Sequence, residues 1–199
     1  MAAGETDVKL RILLAAKKLF ARQGFDGTSI RQICEEAGAN VALVSYHFGG
    51  KENLLRALFE QFFPGNKMAK HEAELRDPVE GLTLLLREII LFGLEDPELS
   101  KILKQEIELS SPRSEIVFSF TDPVWVKIRE LLQLGREQRV FRFDSLDYTL
   151  MFVMGAAISY KHISTHPGLL TEQVQDGRSA ADHLVKLVLT SLHAPGTNA

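Results

Sequence analysis

Thr28-Ser29-Ile30-Arg31-Gln32-Ile33-Cys34-Glu35-Glu36-Ala37-Gly38-Ala39-Asn40-Val41-Ala42-Leu43-Val44-Ser45-Tyr46-His47-Phe48 is the stretch on which the fold turns. Thr28 is a favoured N-cap type, because a hydroxyl there accepts from an amide that the first helical turn leaves unpaired. The residues that follow put Ile30, Ile33 and Ala37 on one side, the pattern of a short buried helix. Gly38 supplies the left-handed residue that stops it. Asn40 caps a second short helix, in which Val44 and Phe48, four apart, face inward. Two short helices joined by a glycine-containing turn form a helix-turn-helix. Many helical hairpins share that bare pattern, so the flanking sequence has to decide.

On either side the chain reads as helix after helix, punctuated by glycine and proline. The spacing predicts helices over 7–23, 29–37, 41–48, 51–63, 68–75, 78–94, 97–110, 123–138, 146–165 and 171–193. In the first, Ile12, Ala15, Ala16, Leu19 and Phe20 make one apolar stripe, with Lys9, Lys17, Lys18 and Arg22 elsewhere. Asp77-Pro78, Asp96-Pro97 and Asp122-Pro123 each read as a helix start, since aspartate caps and proline at the first helical position loses no hydrogen bond. Glu80, three residues after Asp77, resembles the second half of a capping box. No alternating apolar run flanks a hairpin turn. The fold expected is all-α. Pro64-Gly65 is the strongest break, dividing a head (1–50) and a connecting fourth helix (51–63) from a body (64–199).

Composition bounds the function. The 199 residues are 45% hydrophobic and 25% charged, ordinary for a globular chain. No stretch approaches the roughly 20 apolar residues of a membrane-spanning helix, so no membrane association is expected. The N-terminus shows no secretory pattern. The single cysteine, Cys34, excludes an intrachain disulfide and suits a reducing compartment, so a cytoplasmic location is expected. Its position on the second helix reads as small-residue packing. The net charge of −3 is unevenly spread: residues 1–63 carry eight basic and seven acidic groups, the remainder fifteen and nineteen. A mildly basic head on an acidic body fits a small nucleic-acid footprint.

Around the hairpin, Gly24-Phe25, Gly27-Thr28-Ser29-Ile30, Ala37-Gly38 and Ser45-Tyr46-His47-Phe48-Gly49-Gly50-Lys51-Glu52-Asn53-Leu54-Leu55 together resemble the TetR family of transcriptional regulators. The likeness covers about residues 9–63, and Asn40–Phe48 is similar to the subgroup whose reading helix runs N-V-A-x-x-S-Y-x-F. It implies a DNA-binding head on a helical body that dimerises and senses a ligand. It also implies that Val41, Ala42, Ser45, Tyr46 and His47 form the outward face of the third helix. Val41 and Ala42 suit thymine methyls, and Ser45 suits either base type. Arg31 is the candidate for a two-pronged guanine contact, and Thr28, Tyr46, His47 and Lys51 for phosphates, with Ser29 and Asn40 completing the DNA-facing set. Alternatively Val41 and Ala42 only pack, and Arg31 is a solvated surface charge.

The body carries no motif. The resemblance implies that the last two helices form a four-helix bundle between subunits, for which Met154, Gly155, Ile158, Ala181, Leu184 and Val188 are the candidates; intrasubunit core is the other reading. Phe92, Phe118, Phe120, Trp125, Phe141, Met151 and His162 are candidates to line a pocket for a small apolar effector, or are plain core. His162 and His166 stand at a chelating spacing, but Pro167 ends that helix and no third ligand follows, so no metal is expected. No phosphate loop, nucleophile elbow or paired carboxylate suggests an enzyme or a cofactor. The expected function is a homodimeric, ligand-responsive repressor on a palindromic DNA operator. The rivals are an architectural DNA binder without an effector and a helical carrier or enzyme.

Overall fold

In a computed structural model, the backbone is described for residues 2–163 and 176–194, and the side chains for 6–65, 68–159 and 176–194. The described residues form nine α-helices and no strand: α1 (Ala2–Gln23), α2 (Ile30–Ala37), α3 (Val41–Phe48), α4 (Lys51–Phe62), α5 (Pro78–Glu95), α6 (Pro97–Glu108), α7 (Ser114–Glu137), α8 (Leu146–Ile163) and α9 (Gly177–Ser191). The all-α expectation holds. Two compact units arise from this chain, one of residues 1–66 with 97–121, the other of 67–96 with 122–199. Segment 97–121, placed with the body by sequence, therefore lies in the same unit as the head.

In the first unit the stripe of α1 is buried as its spacing requires, with Ile12, Ala16 and Phe20 wholly enclosed. It packs against α2, α4 and α6. From α4 come Leu54, Leu55, Leu58 and Phe59, and from α6 Leu99 and Ile102. Phe120, at the start of α7, stacks on Phe59 with ring centres 5.6 Å apart.

Most helix starts follow local capping chemistry. Asp77 accepts from the amides of Val79 and Glu80, with Pro78 in the first turn of α5. Pro97 likewise opens α6. The third Asp-Pro pair behaves differently: α7 begins at Ser114 and runs through Pro123. Its start is set by Ser111-Pro112, where Ser111 Oγ accepts from the Arg113 amide at 3.1 Å and the Ser111 carbonyl accepts from the Ser114 amide at 2.9 Å. Pro123 then forfeits one bond inside a helix already under way. The helix expected over 68–75 is instead a pair of 3-10 segments, Pro64–His71 and Glu74–Arg76. In α9 the cap is Asp176, so the helix starts at Gly177; residues 171–175, expected to be helical, lie outside the described residues.

In the second unit α5 packs on α8 and α9. Leu82, Leu86 and Ile90 of α5 are buried, with Ile128, Leu131 and Leu132 of α7, Val153 of α8 and Ala181, Val185 and Val188 of α9. Arg87 of α5 pairs with Asp182 of α9. Gly135 is required by the ring of Phe141, wholly buried, which would lie 2.1 Å from an added Cβ. Gly135→Ala gains about 1 kcal/mol of helix propensity but forces an enclosed aromatic ring aside, an overpacking cost of about 1–3 kcal/mol. Net destabilisation is expected in urea unfolding; a variant as stable as the parent would show that the ring has room to move.

Candidate nucleic-acid interface

The turn between α1 and α2 sets where the hairpin starts. Gly24 adopts φ +77°, and its amide closes on the carbonyl of Phe20. Thr28 is 1% exposed and donates its hydroxyl to the carbonyl of Gly24 at 2.7 Å. It is neither the helix cap nor a side chain that reaches a phosphate, which corrects both expectations. The cap is its neighbour Ser29: Ser29 Oγ accepts from the Gln32 amide, and Gln32 Oε1 accepts from the Ser29 amide, a capping box.

Lys51 is also placed differently from the expectation. At the start of α4, its Nζ donates to the carbonyls of Phe25 at 2.8 Å and Thr28 at 2.7 Å, and lies 4.2 Å from the Phe25 ring centre. Burial pushes its pKa down, and Arg113 adds to that, while Asp26 and Glu106 oppose it. An amine so placed braces the turn.

The hairpin itself is as the sequence indicates. Gly38 ends α2 at φ +59°, and Asn40 caps α3 by accepting from the Ala42 amide. Val44 and Phe48 are buried, while Val41, Ala42, Ser45 and Tyr46 are exposed, Tyr46 at 76%. His47 is half-buried, its ring centre 5.0 Å from that of Tyr46. Exposed positions 41, 42, 45 and 46 occupy one side of two helical turns, with no carboxylate among them. Arg31 is exposed on α2 and pairs through Nε with Glu35 at 3.1 Å. An exposed pair of this spacing is worth only about 0.3–0.5 kcal/mol, so a base or phosphate readily replaces it. Gly50 precedes α4 without a side-chain cap, and Phe25, Gly49, Gly50, Lys51, Glu52 and Asn53 line an open recess there. This surface offers apolar, hydroxyl and cationic groups on two short, partly exposed helices, group types that base edges and phosphates accept.

The candidate pocket residues divide between the two units. Of the proposed pocket residues, Phe118 and Phe120 belong to the first unit, and Phe92, Trp125, Phe141 and Met151 to the second. Phe120, half-buried, packs on Phe59 and Phe63, and Phe141, wholly buried against Gly135, is core. Met151 is largely exposed. His162 falls on α8, but its side chain and all of His166 lie outside the described residues. Of the proposed subunit contacts, Ala181 and Val188 are enclosed within their own chain, which removes them from any surface. Met154, Gly155 and Leu184 are half-buried and Ile158 is exposed. Tyr148, Met151, Phe152 and Leu187, overlooked as surface groups, are also exposed. With Val153 and Ala157 inward, 148, 151, 152, 155 and 158 share the outer side of α8.

Three comparisons bear on this geometry. The family described as bacterial regulatory proteins, tetR family, matches residues 12–58. The transcriptional repressor AcnR of Corynebacterium efficiens is 32% identical over 80% of this chain and 85% of its own. The transcriptional repressor NicS of Pseudomonas putida is 29% identical over 87% and 85%. The crystal structure of HlyIIR, a hemolysin II transcriptional regulator, superposes with a TM-score of 0.75 at 28% identity, covering 95% of this chain and 98% of that one. With the α2–α3 hairpin these likenesses leave one assignment: the chain belongs to the TetR family and is a DNA-binding transcriptional regulator.

Proposed function

We propose that the protein is a homodimeric repressor that reads a palindromic operator with Arg31, Val41, Ala42, Ser45, Tyr46 and His47, and that a small apolar effector releases it. The observation that carries the reading is the split of α3 into a buried side (Val44, Phe48) and a solvent side (Val41, Ala42, Ser45, Tyr46). Ser29 and Asn40 hold the ends of the reading helices through their caps. Two such heads reach successive major grooves about 34–36 Å apart. The relatives named repressors support the sign of the output.

Dimerisation is supported by the outer side of α8 and α9, where Tyr148, Met151, Phe152, Ile158 and Leu187 are exposed together with the half-buried Met154, Gly155 and Leu184. Apolar groups gathered this densely on a surface mark an association site. An effector needs only to favour the non-binding state by about 1–3 kcal/mol to control occupancy. Its proposed place is the second unit, beside the half-buried Phe92 and Trp125. The head resides at residues 1–50, with α4 connecting it onward.

Three outcomes test the parts separately. Arg31→Ala relaxes selection from random duplexes at one base pair per half-site, by about 1–3 kcal/mol; unchanged preference at every position would refute the guanine contact. Leu187→Glu with Met151→Glu, both 65% exposed in the chain, yields a folded monomer by sedimentation and loses operator affinity; a dimer that persists places the contact elsewhere. Because Trp125 is the only tryptophan, a bound apolar effector alters its emission at the concentration that releases DNA. Release without any spectral change moves the effector away from α7.

A further inference from the structure

The corner between α6 and α7 carries a charge cluster that none of the DNA-facing groups uses. Glu106, near the end of α6, is 2% exposed, and its Oε2 accepts from Ser111 Oγ at 2.5 Å and from Arg113 Nε at 3.0 Å. The Arg113 side chain is itself only 11% exposed. Through Nη2 it donates to Asp26 Oδ2 at 2.9 Å, 87 residues earlier in the chain. Its guanidinium carbon also lies 4.2 Å from the ring centre of Phe25. Lys51 Nζ lies at the same distance from that ring. One arginine thus joins a buried carboxylate on α6 to the turn that launches α2, and the planar, forked guanidinium is what permits three partners at once.

We propose that Arg113 is a positioning residue for DNA recognition, holding the Phe25-Asp26 turn at the angle from which α2 and α3 present their bases-facing side. The inference rests on the reading of α2–α3 as the DNA-facing hairpin. The turn is pinned from two directions. Lys51 holds its carbonyls from α4, and Arg113 holds its ring and carboxylate from the α6–α7 corner. Ser29, the cap of α2, follows the turn immediately, and only the Gly38–Asn40 link separates α2 from α3. A shift of Phe25 therefore tilts both helices together. Asp26 is 77% exposed on its side chain, so its pair with Arg113 adds little to folding and acts mainly on orientation.

The test measures, for the full chain, the ratio of affinity for a selected operator to affinity for random duplex of equal length and salt. The ratio cancels the general electrostatic effect of removing a negative charge. Asp26→Ala is expected to lower the ratio about tenfold with the melting temperature nearly unchanged. Arg113→Lys, whose ammonium cannot hold Glu106 and Asp26 in one fork, is expected to lower it similarly. The double variant is expected to fall no further than either single one, because both break the same link. An unchanged ratio in Asp26→Ala, or losses that multiply in the double variant, overturns the positioning role. Arg113→Ala is avoided, since it strands Glu106 as a buried unpaired charge. A parent protein whose ratio is one overturns the hairpin reading itself, and this inference with it.

Discussion

Lys51 reaches back across the head to the carbonyls of Phe25 and Thr28, and its ammonium sits against the Phe25 ring. These carbonyls sit in a partly buried turn, and that of Phe25 already accepts from the Thr28 amide at 3.1 Å, so Lys51 adds to their hydrogen bonding. The bond does more than satisfy them. Lys51 opens α4 directly after the reading helix, and the turn it grips opens α2 directly before it. The hairpin is thus closed at both ends by one side chain, and its two short helices, each of eight residues, gain a rigidity they lack as isolated segments.

From that closure the division of labour in α3 follows. A two-turn helix has too few residues to bury more than a narrow seam, and Val44 and Phe48 supply it. Val41, Ala42, Ser45 and Tyr46 are left to solvent. The outer side of α8 and α9 makes a parallel case at larger scale: α5 occupies one side of each, and the remaining apolar groups face away from their own chain. In both places the sequence is apolar beyond what its own unit absorbs.

Legibility in the sequence tracks how local the deciding interaction is. Gly38, Asn40 and Asp77 were readable because a cap is settled within about four residues, and the stripe of α1 because its polar side fixes the phase. Thr28 and Ser29 are both cap types, and Gln32, three residues after Ser29, marks Ser29 as the cap, while Thr28 turns back to Gly24. Asp122-Pro123 misled because Ser111-Pro112, a quieter form of the same signal, had already started the helix. The inward turn of Lys51 and the placement of Phe120 depend on partners far along the chain. Apolar residues occupy every side of α8, so periodicity alone gives no inner side, and packing on α5 sets it. The DNA-facing hairpin was legible; the apolar lining of the body was not.

The interleaving of the two units reaches beyond binding. α6 enters the first unit at Pro97, packs on α1 and contributes the buried Leu99 and Ile102, and α7 leaves that unit after Thr121. A head cut out at Pro64 would leave part of the α1 stripe facing water and would strip Asp26 of its arginine. Grafting this regulator's DNA preference onto a relative's sensor, or the reverse, therefore calls for a two-piece transplant in which residues 97–121 travel with the N-terminal third.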